Sequence, residues 1–345
     1  MTETNPETET HPESDVRFPP VVGAGTDGAT ISPATPGAAV AADLPDGIDL
    51  VHESGLELKS RSQWAYARRR FFRHRLAMVS LFVLLVILLA GAFANLITPY
   101  SFAAQDFEHS GQAPTFKAHH FFGTDVLGRD YFSRVVYGIR TSEKVALIVT
   151  LVSTIIGTLI GAVAGYYSGW IDNILMRFTD LILTLPGLAV LLTAAAFIGT
   201  GNPIRVAFIL ALLFWTGLAR IVRGSFLSLR KKEYVEAAKA AGSGDLRIMF
   251  RHMLPNAVGP IVVNATLIVG IAILTEAALS FLGFGIQPPN PSLGKLINDG
   301  QDVSSSMWWL VTFPGLTIVL IVLCINFIGD GLRDALDPTQ RRTRA

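Results

Sequence analysis

The chain has 345 residues, half of them hydrophobic and only 16% charged, a balance too apolar for an ordinary soluble domain of this size. Its formal net charge of +1 excludes a global nucleic-acid-binding signature, so the local distribution of charge carries the information. The single cysteine, Cys324, excludes an internal disulfide and suggests no cysteine metal site; in its apolar run it reads as a small buried hydrophobe.

Residues 1–58 are rich in Thr, Glu, Pro, Gly and Ala and show no sustained period, the composition of a disordered tail. They place the first apolar block too far along for a secretory signal peptide. Residues 59–75 are strongly basic, with Lys59, Arg61, Arg68, Arg69, Arg70, Arg73 and Arg75 interleaved with Trp64, Tyr66, Phe71 and Phe72. Directly against a hydrophobic span, this segment is expected to meet lipid headgroups rather than nucleic acid and to fix orientation as a juxtamembrane anchor.

Residues 76–99 hold the first span, at 76–97, closed by Pro99; a helix of about 20 apolar residues covers ~30 Å of hydrocarbon. Further spans are expected at 145–166, 179–198, 204–222, 258–282 and 308–328, giving an all-α membrane protein with six transmembrane helices. With a cytoplasmic N-terminus, 20 of the Lys and Arg residues from position 59 onward fall inside and seven outside. That bias puts both termini, and the soluble-looking stretch at 233–256, in the cytoplasm.

Residues 100–140 then form an extracytoplasmic loop ending in an amphipathic helix. The pair His119-His120 hints at a metal, but no third ligand stands at a metal spacing. A hydrogen-bonded turn built on Asp125, Arg129 and Asp130 is favoured, and no metal site is assigned. Phe132, Val135, Val136 and Ile139 recur at helical spacing with Arg129, Arg134 and Arg140 off the stripe, which predicts a helix resting at the outer interface.

Residues 141–334 make the membrane domain, followed by a basic cytoplasmic tail at 335–345. Asp180 opens the third span and Glu276 lies within the fifth. Intramembrane carboxylates are costly and are candidates for a pathway or proton role; the alternative for Glu276 is a satisfied carboxylate near the outer end of its helix. Pro186, Gly187, Pro314 and Gly315 are expected to interrupt helices three and six. Pro288, Pro289 and Pro291 exclude a helix after the fifth span, and Trp308-Trp309 fits an interfacial aromatic belt.

The stretch at 233–256 reads as two short helices joined at Gly242-Ser243-Gly244. Gly242 is placed to end the first in a left-handed cap, Ser243 or Asp245 to cap the second, and Pro255 to stop it. Leu246, Met249, Phe250, Met253 and Leu254 form one apolar stripe. Burying each is worth ~1.5–3 kcal/mol, so the stripe packs either on the ends of its own spans or into a groove on another protein.

Glu236-Ala237-Ala238, then Gly242, then Leu254-Pro255, resembles the EAA signature of ABC importer permeases. His252 replaces the usual hydrophobic residue two before the Leu, a departure shared by peptide-type members. Gly123-Thr124-Asp125 with Gly128-Arg129-Asp130, and Ala278 to Gly285 with the prolines that follow, are similar to the C-type permease of dipeptide and oligopeptide importers. The resemblance spans about residues 68–338.

It implies the type I ABC importer permease fold with a cytoplasmic coupling-helix elbow, in a bacterial inner membrane. It also implies a second, B-type permease subunit, two cytoplasmic ATP-binding subunits and an extracytoplasmic substrate-binding protein. Carried over, Glu236, Ala237, Ala238, Gly242 and Asp245 belong to the ATPase-coupling site, and Leu254 and Pro255 connect it to the fifth span. The chain has no Gly-rich phosphate loop, so ATP and Mg are expected on partner subunits and no cofactor in this chain. No HExxH or carboxylate cluster suggests an intramembrane enzyme, and no inverted repeat supports a stand-alone secondary transporter. Short peptides are the expected cargo; nickel, glutathione and heme-type importers are the alternatives in the same branch.

Overall fold

The computed structural model describes residues 63–116, 119–199 and 201–336; the expected tail at 1–58, the start of the basic segment and residues 337–345 lie outside the described residues. These described residues belong to one compact unit, Ser60–Ala345. They are helical, and the only strand-like pairing among them is an isolated bridge between Thr124 and Asp130.

Helix α1 (Gln63–Arg73) leads into α2 (Arg75–Ala92), whose first turn is capped by the His74 ring accepting from the Ala77 N–H at 3.1 Å. The expected first span breaks at Phe93 and ends in the short α3 (Ala94–Ile97). Next comes α4 (Tyr131–Tyr167), started by Asp130, whose carboxylate accepts from the Ser133 N–H at 2.8 Å. Its 37 residues run ~55 Å at 1.5 Å per residue, well beyond the hydrocarbon core.

The sequence reading separated an interfacial amphipathic helix at Phe132–Ile139 from the second span. The structure joins them in one helix. The stripe is buried against protein: Tyr131, Val135, Ile139 and even Arg134 are buried, with Tyr131 bonded to the Leu296 and Leu310 carbonyls, Arg134 paired with Asp299 and Ile139 against Gly91 of α2. The expected separation failed because the covering segment is distant in sequence.

Helix α7 (Pro203–Leu229) packs along α4 with a close backbone approach. Gly157, Gly161 and Gly165, four residues apart, face Trp215, Ala219 and Phe226 in the same order. A Cβ at Gly157 would stand 2.7 Å from the Trp215 carbonyl oxygen, and one at Gly165 2.6 Å from the Phe226 Cβ. Small residues at four-residue spacing permit such contact where the hydrophobic effect cannot drive association.

The rising order on both helices makes α4 and α7 parallel, so the chain between them has to return across the bilayer. That crossing is made by α5 (Gly169–Thr184) and α6 (Gly187–Ile198), bent by 87° at Leu185-Pro186. Pro186 lacks the N–H for helix continuation, which the sequence reading anticipated. With five long apolar helices beside this bent pair, the fold makes six crossings among the described residues.

The fifth and sixth crossings are α10 (Leu254–Phe281) and α12 (Trp309–Leu336), joined through α11 (Leu293–Gln301), a helix the sequence reading missed. Pro314 does not interrupt α12 as expected. The Leu310 carbonyl, which a residue 314 N–H would normally satisfy, instead lies 2.5 Å from the Tyr131 hydroxyl, so the missing helix bond leaves no orphan. Trp309 also departs from the aromatic-belt expectation. It is buried, and its indole N–H donates to the Thr124 carbonyl at 3.1 Å; only Trp308 is exposed.

The helix ends therefore gather at two faces. One carries the loop at 98–130, the Gly201–Gly285 contact at 3.2 Å and α11. The other carries the ends of α4 and α7 and the whole stretch at 233–254.

Candidate functional site

The elbow begins with α8 (Glu233–Ala240). Its last turn closes with the Ser243 N–H bonding the Ala238 carbonyl at 3.0 Å and the Gly242 N–H bonding the Lys239 carbonyl at 2.9 Å, the Schellman pattern. Gly242 takes φ +76, with open space where a Cβ would stand. The requirement for glycine here is conformational rather than steric.

The second piece, α9 (Asp245–Arg247), starts from Gly244 without a side-chain cap, so neither Ser243 nor Asp245 plays the capping role expected of it. Asp245 is engaged elsewhere: its Oδ1 accepts from the Tyr166 hydroxyl at 2.6 Å. The ammonium of Lys239, in α8, lies 5.3 Å from the centroid of the same Tyr166 ring. One aromatic side chain at the end of α4 thus touches both helices of the elbow.

A π-helical turn, Ile248–Met253, follows α9 and passes directly into α10. Pro255 does not end the second short helix. It sits in the first turn of α10, directly after the π turn. Leu254 and Pro255 are therefore part of a nearly unbroken rod running from the elbow across the membrane.

The wide turn also splits the predicted stripe. Ile248, Met249 and Met253 are buried together with Val235 of α8, and Leu254 packs beside them. Leu246 and Phe250 face outward at 67% and 51% exposure, and Tyr234 of α8 is 42% exposed. Of the two fates considered for the stripe, half of it takes the first, and the other half is left for the second. Glu236, Ala237 and Gly242 share the outer surface, while Ala238 is half-buried against the core.

Two ion pairs brace the helices behind the elbow. Arg223 of α7 makes a bidentate contact to Asp172 of α5, at 2.5 and 2.7 Å. Asp180, a lone intramembrane carboxylate in the sequence reading, pairs with Arg220 of α7. Arg230 also bonds the Ser168 hydroxyl between α4 and α5. Charges eight apart on α5 and three apart on α7 were a usable signal for this lattice, but only once the two helices were known to be neighbours.

Glu276 is fully buried near the opposite face. Its carboxylate accepts from the Ser142 hydroxyl at 2.8 Å and the Ser280 hydroxyl at 2.7 Å, and the Ser280 oxygen accepts in turn from the Ile286 N–H at 3.0 Å. Those bonds tie α4, α10 and the returning loop together, which favours the satisfied-carboxylate alternative. The sequence reading passed over Glu143, a half-buried carboxyl packed where Gly91 of α2 leaves room for it.

Comparison with known proteins finds relatives along most of the chain. A family described as "Binding-protein-dependent transport system inner membrane component" matches residues 157–342. A second, the "N-terminal TM domain of oligopeptide transport permease C", matches residues 62–114. The chain is 43% identical over 286 residues to the oligopeptide transport system permease protein OppC of Escherichia coli (strain K12), covering 83% of this chain and 94% of that protein. It is 41% identical to the dipeptide transport system permease protein DppC of Alkalihalophilus pseudofirmus, covering 81% and 91%. To the DppC of Bacillus subtilis (strain 168) it is 42% identical, covering 80% and 86%.

Proposed function

The chain belongs to the family of binding-protein-dependent transport system inner membrane components, and from that premise we propose how it works as a permease subunit of an ATP-driven importer of short peptides. It is a multi-pass inner-membrane protein that supplies half of the translocation pathway. It pairs with a second, B-type permease. Two ATP-binding subunits hold the nucleotide and its Mg, and a substrate-binding protein delivers the peptide. The elbow faces the cytoplasm, with both termini, and the loop at 98–130 faces the binding protein.

The observation that carries this reading is the split stripe of the elbow. A segment that only connected two spans would bury all its large apolar side chains or carry none. This one keeps Leu246, Phe250 and Tyr234 outward, with Glu236, Ala237 and Gly242 exposed as well. That small, partly apolar surface suits a groove on an ATPase. Because α9, the π turn and α10 are continuous, a push on the elbow reaches the membrane through a helix rather than a loop.

Proteoliposomes test the assignment. Labelled peptide enters when ATP, both ATPases, the B-type permease and the binding protein are present, and does not enter with this chain alone. Uptake by the chain alone on an ion gradient contradicts it. Uptake of a nickel chelate in place of peptide by the full system reassigns the cargo.

A further inference from the structure

We propose that Asp106, His109 and His120 form a divalent transition-metal site, suited to zinc, on the face of the protein opposite the elbow. The first two ligands come from one short turn. Asp106 caps the 3₁₀ turn Phe107–His109, and residues three apart eclipse one another in a 3₁₀ helix. The Asp106 Oδ2 and the His109 Nδ1 accordingly lie 2.8 Å apart.

The third ligand arrives from further along the loop. The adjacent histidines of the sequence part company: His119 is exposed, and His120 turns inward to 2% exposure. The His120 ring stacks on Tyr100 and lies 5.8 Å from the His109 ring, centroid to centroid. One donor atom from each of Asp106, His109 and His120 falls within 4.8 Å of the other two.

What distinguishes this group from an ordinary surface cluster is the support behind His120. Its Nδ1 is 2.9 Å from Asp130 Oδ1, and both side chains are almost fully buried. Asp130 is itself held by the Ser133 N–H and hydroxyl on its other oxygen, at 2.8 and 2.6 Å. A carboxylate fixed on one ring nitrogen sets the tautomer, raises the basicity of the ring and leaves Nε2 as the nitrogen a cation can take. Imidazole with a single carboxylate selects zinc-like ions over calcium or magnesium. Three protein ligands leave the fourth position to water or to a donor from outside the chain.

A bound ion has a definite mechanical effect here. Asp106 already meets the turn at 125–130 through its N–H to the Gly128 carbonyl at 3.1 Å, and the Thr124 hydroxyl bonds the His109 carbonyl. With zinc-ligand bonds of ~2.0–2.1 Å, ligands around a tetrahedral ion stand ~3.3 Å apart, so the Asp106–His109 pair opens slightly from 2.8 Å and gives up its hydrogen bond to the ion. An ion held by all three ligands ties the 106–109 turn to the loop that carries His120.

The test uses the full chain purified with its partner subunits, stripped with a chelator and titrated with zinc against a chromophoric competitor. A single zinc per chain is expected, retained through gel filtration, and cobalt in its place gives the visible absorption of a low-coordinate site. His109→Gln and Asp106→Asn, both at half-exposed positions, weaken zinc binding by about tenfold or more, and His119→Gln leaves it unchanged. Absence of retained zinc in the unaltered protein overturns the proposal. So does equal retention by the His109→Gln and Asp106→Asn proteins, which places the ion elsewhere. Neither result bears on peptide transport or on the elbow.

Discussion

The hydroxyl of Tyr166, near the end of α4, donates to the Asp245 carboxylate in the elbow at 2.6 Å. This bond joins a membrane-spanning helix to the segment proposed to meet the ATPase, in addition to the covalent path through α10. A hydrogen bond to a charged group contributes ~1.5–3 kcal/mol, enough to bias an elbow that has to move as a unit. Tyr166→Phe removes the bond and keeps the ring under Lys239. The expected result is a complex that still assembles and hydrolyses ATP but imports several-fold less peptide per ATP. A double-mutant cycle with Asp245→Ala checks it: the two losses overlap if the bond is the cause and add if it is not.

Phe250→Ser and Leu246→Ser remove outward apolar side chains without touching the core. Each is expected to leave the chain as stable as before and to weaken retention of the ATPases, by up to ~1.5–3 kcal/mol for a side chain fully buried at the contact. Site-specific crosslinking gives the direct readout, because Cys324, the one native cysteine, is buried. Phe250→Cys, in a Cys324→Ala background, should crosslink to an ATPase subunit. Crosslinking of residue 250 to lipid alone argues against the docking surface.

Gly161→Leu should separate α4 from α7. The position faces the Ala219 carbonyl and Val222, and overpacking a tight contact costs ~1–3 kcal/mol or more. Gly217→Leu is the control, since nothing stands within 4 Å of a Cβ there. Thermal unfolding in detergent is expected to drop by several degrees for the first protein and to hold for the second.

The crossings were largely legible in the sequence. Twenty-residue apolar stretches leave little choice in a bilayer, and Pro186 marked the bend between α5 and α6. The Gly242 cap was legible too, because a left-handed residue between two helical patterns is a local matter. What escaped was set by partners distant in sequence. Pro314 looked like a break until Tyr131 supplied the bond its neighbour lacked. Asp180 looked solitary until Arg220 came alongside, and Trp309 looked interfacial until Thr124 covered it. The amphipathic stripe near Val135 pointed correctly to one buried face, but its period carries no information on whether lipid or protein does the burying.

Glu276 separates a structural from a proton-carrying carboxylate. Glu276→Gln keeps an acceptor for Ser142 or Ser280 and should import peptide at close to the normal rate. Glu276→Ala leaves buried hydroxyls unmatched, which costs ~1–3 kcal/mol and should lower the amount of folded protein. Loss of transport in a well-folded Glu276→Gln protein would instead support a role in the pathway.

The account rests most heavily on Gly242 as the turn through which ATPase motion enters the membrane. Its φ of +76 strains any residue that carries a Cβ, and the introduced carboxylate puts a charge on the docking turn, yet the surroundings are open, so the rest of the fold has no reason to fail. The decisive measurement is ATP-driven peptide uptake by the Gly242→Asp complex, with the membrane level of the chain monitored in parallel. The account predicts normal membrane levels and abolished uptake. Uptake at the unaltered rate with the ATPases bound would contradict it.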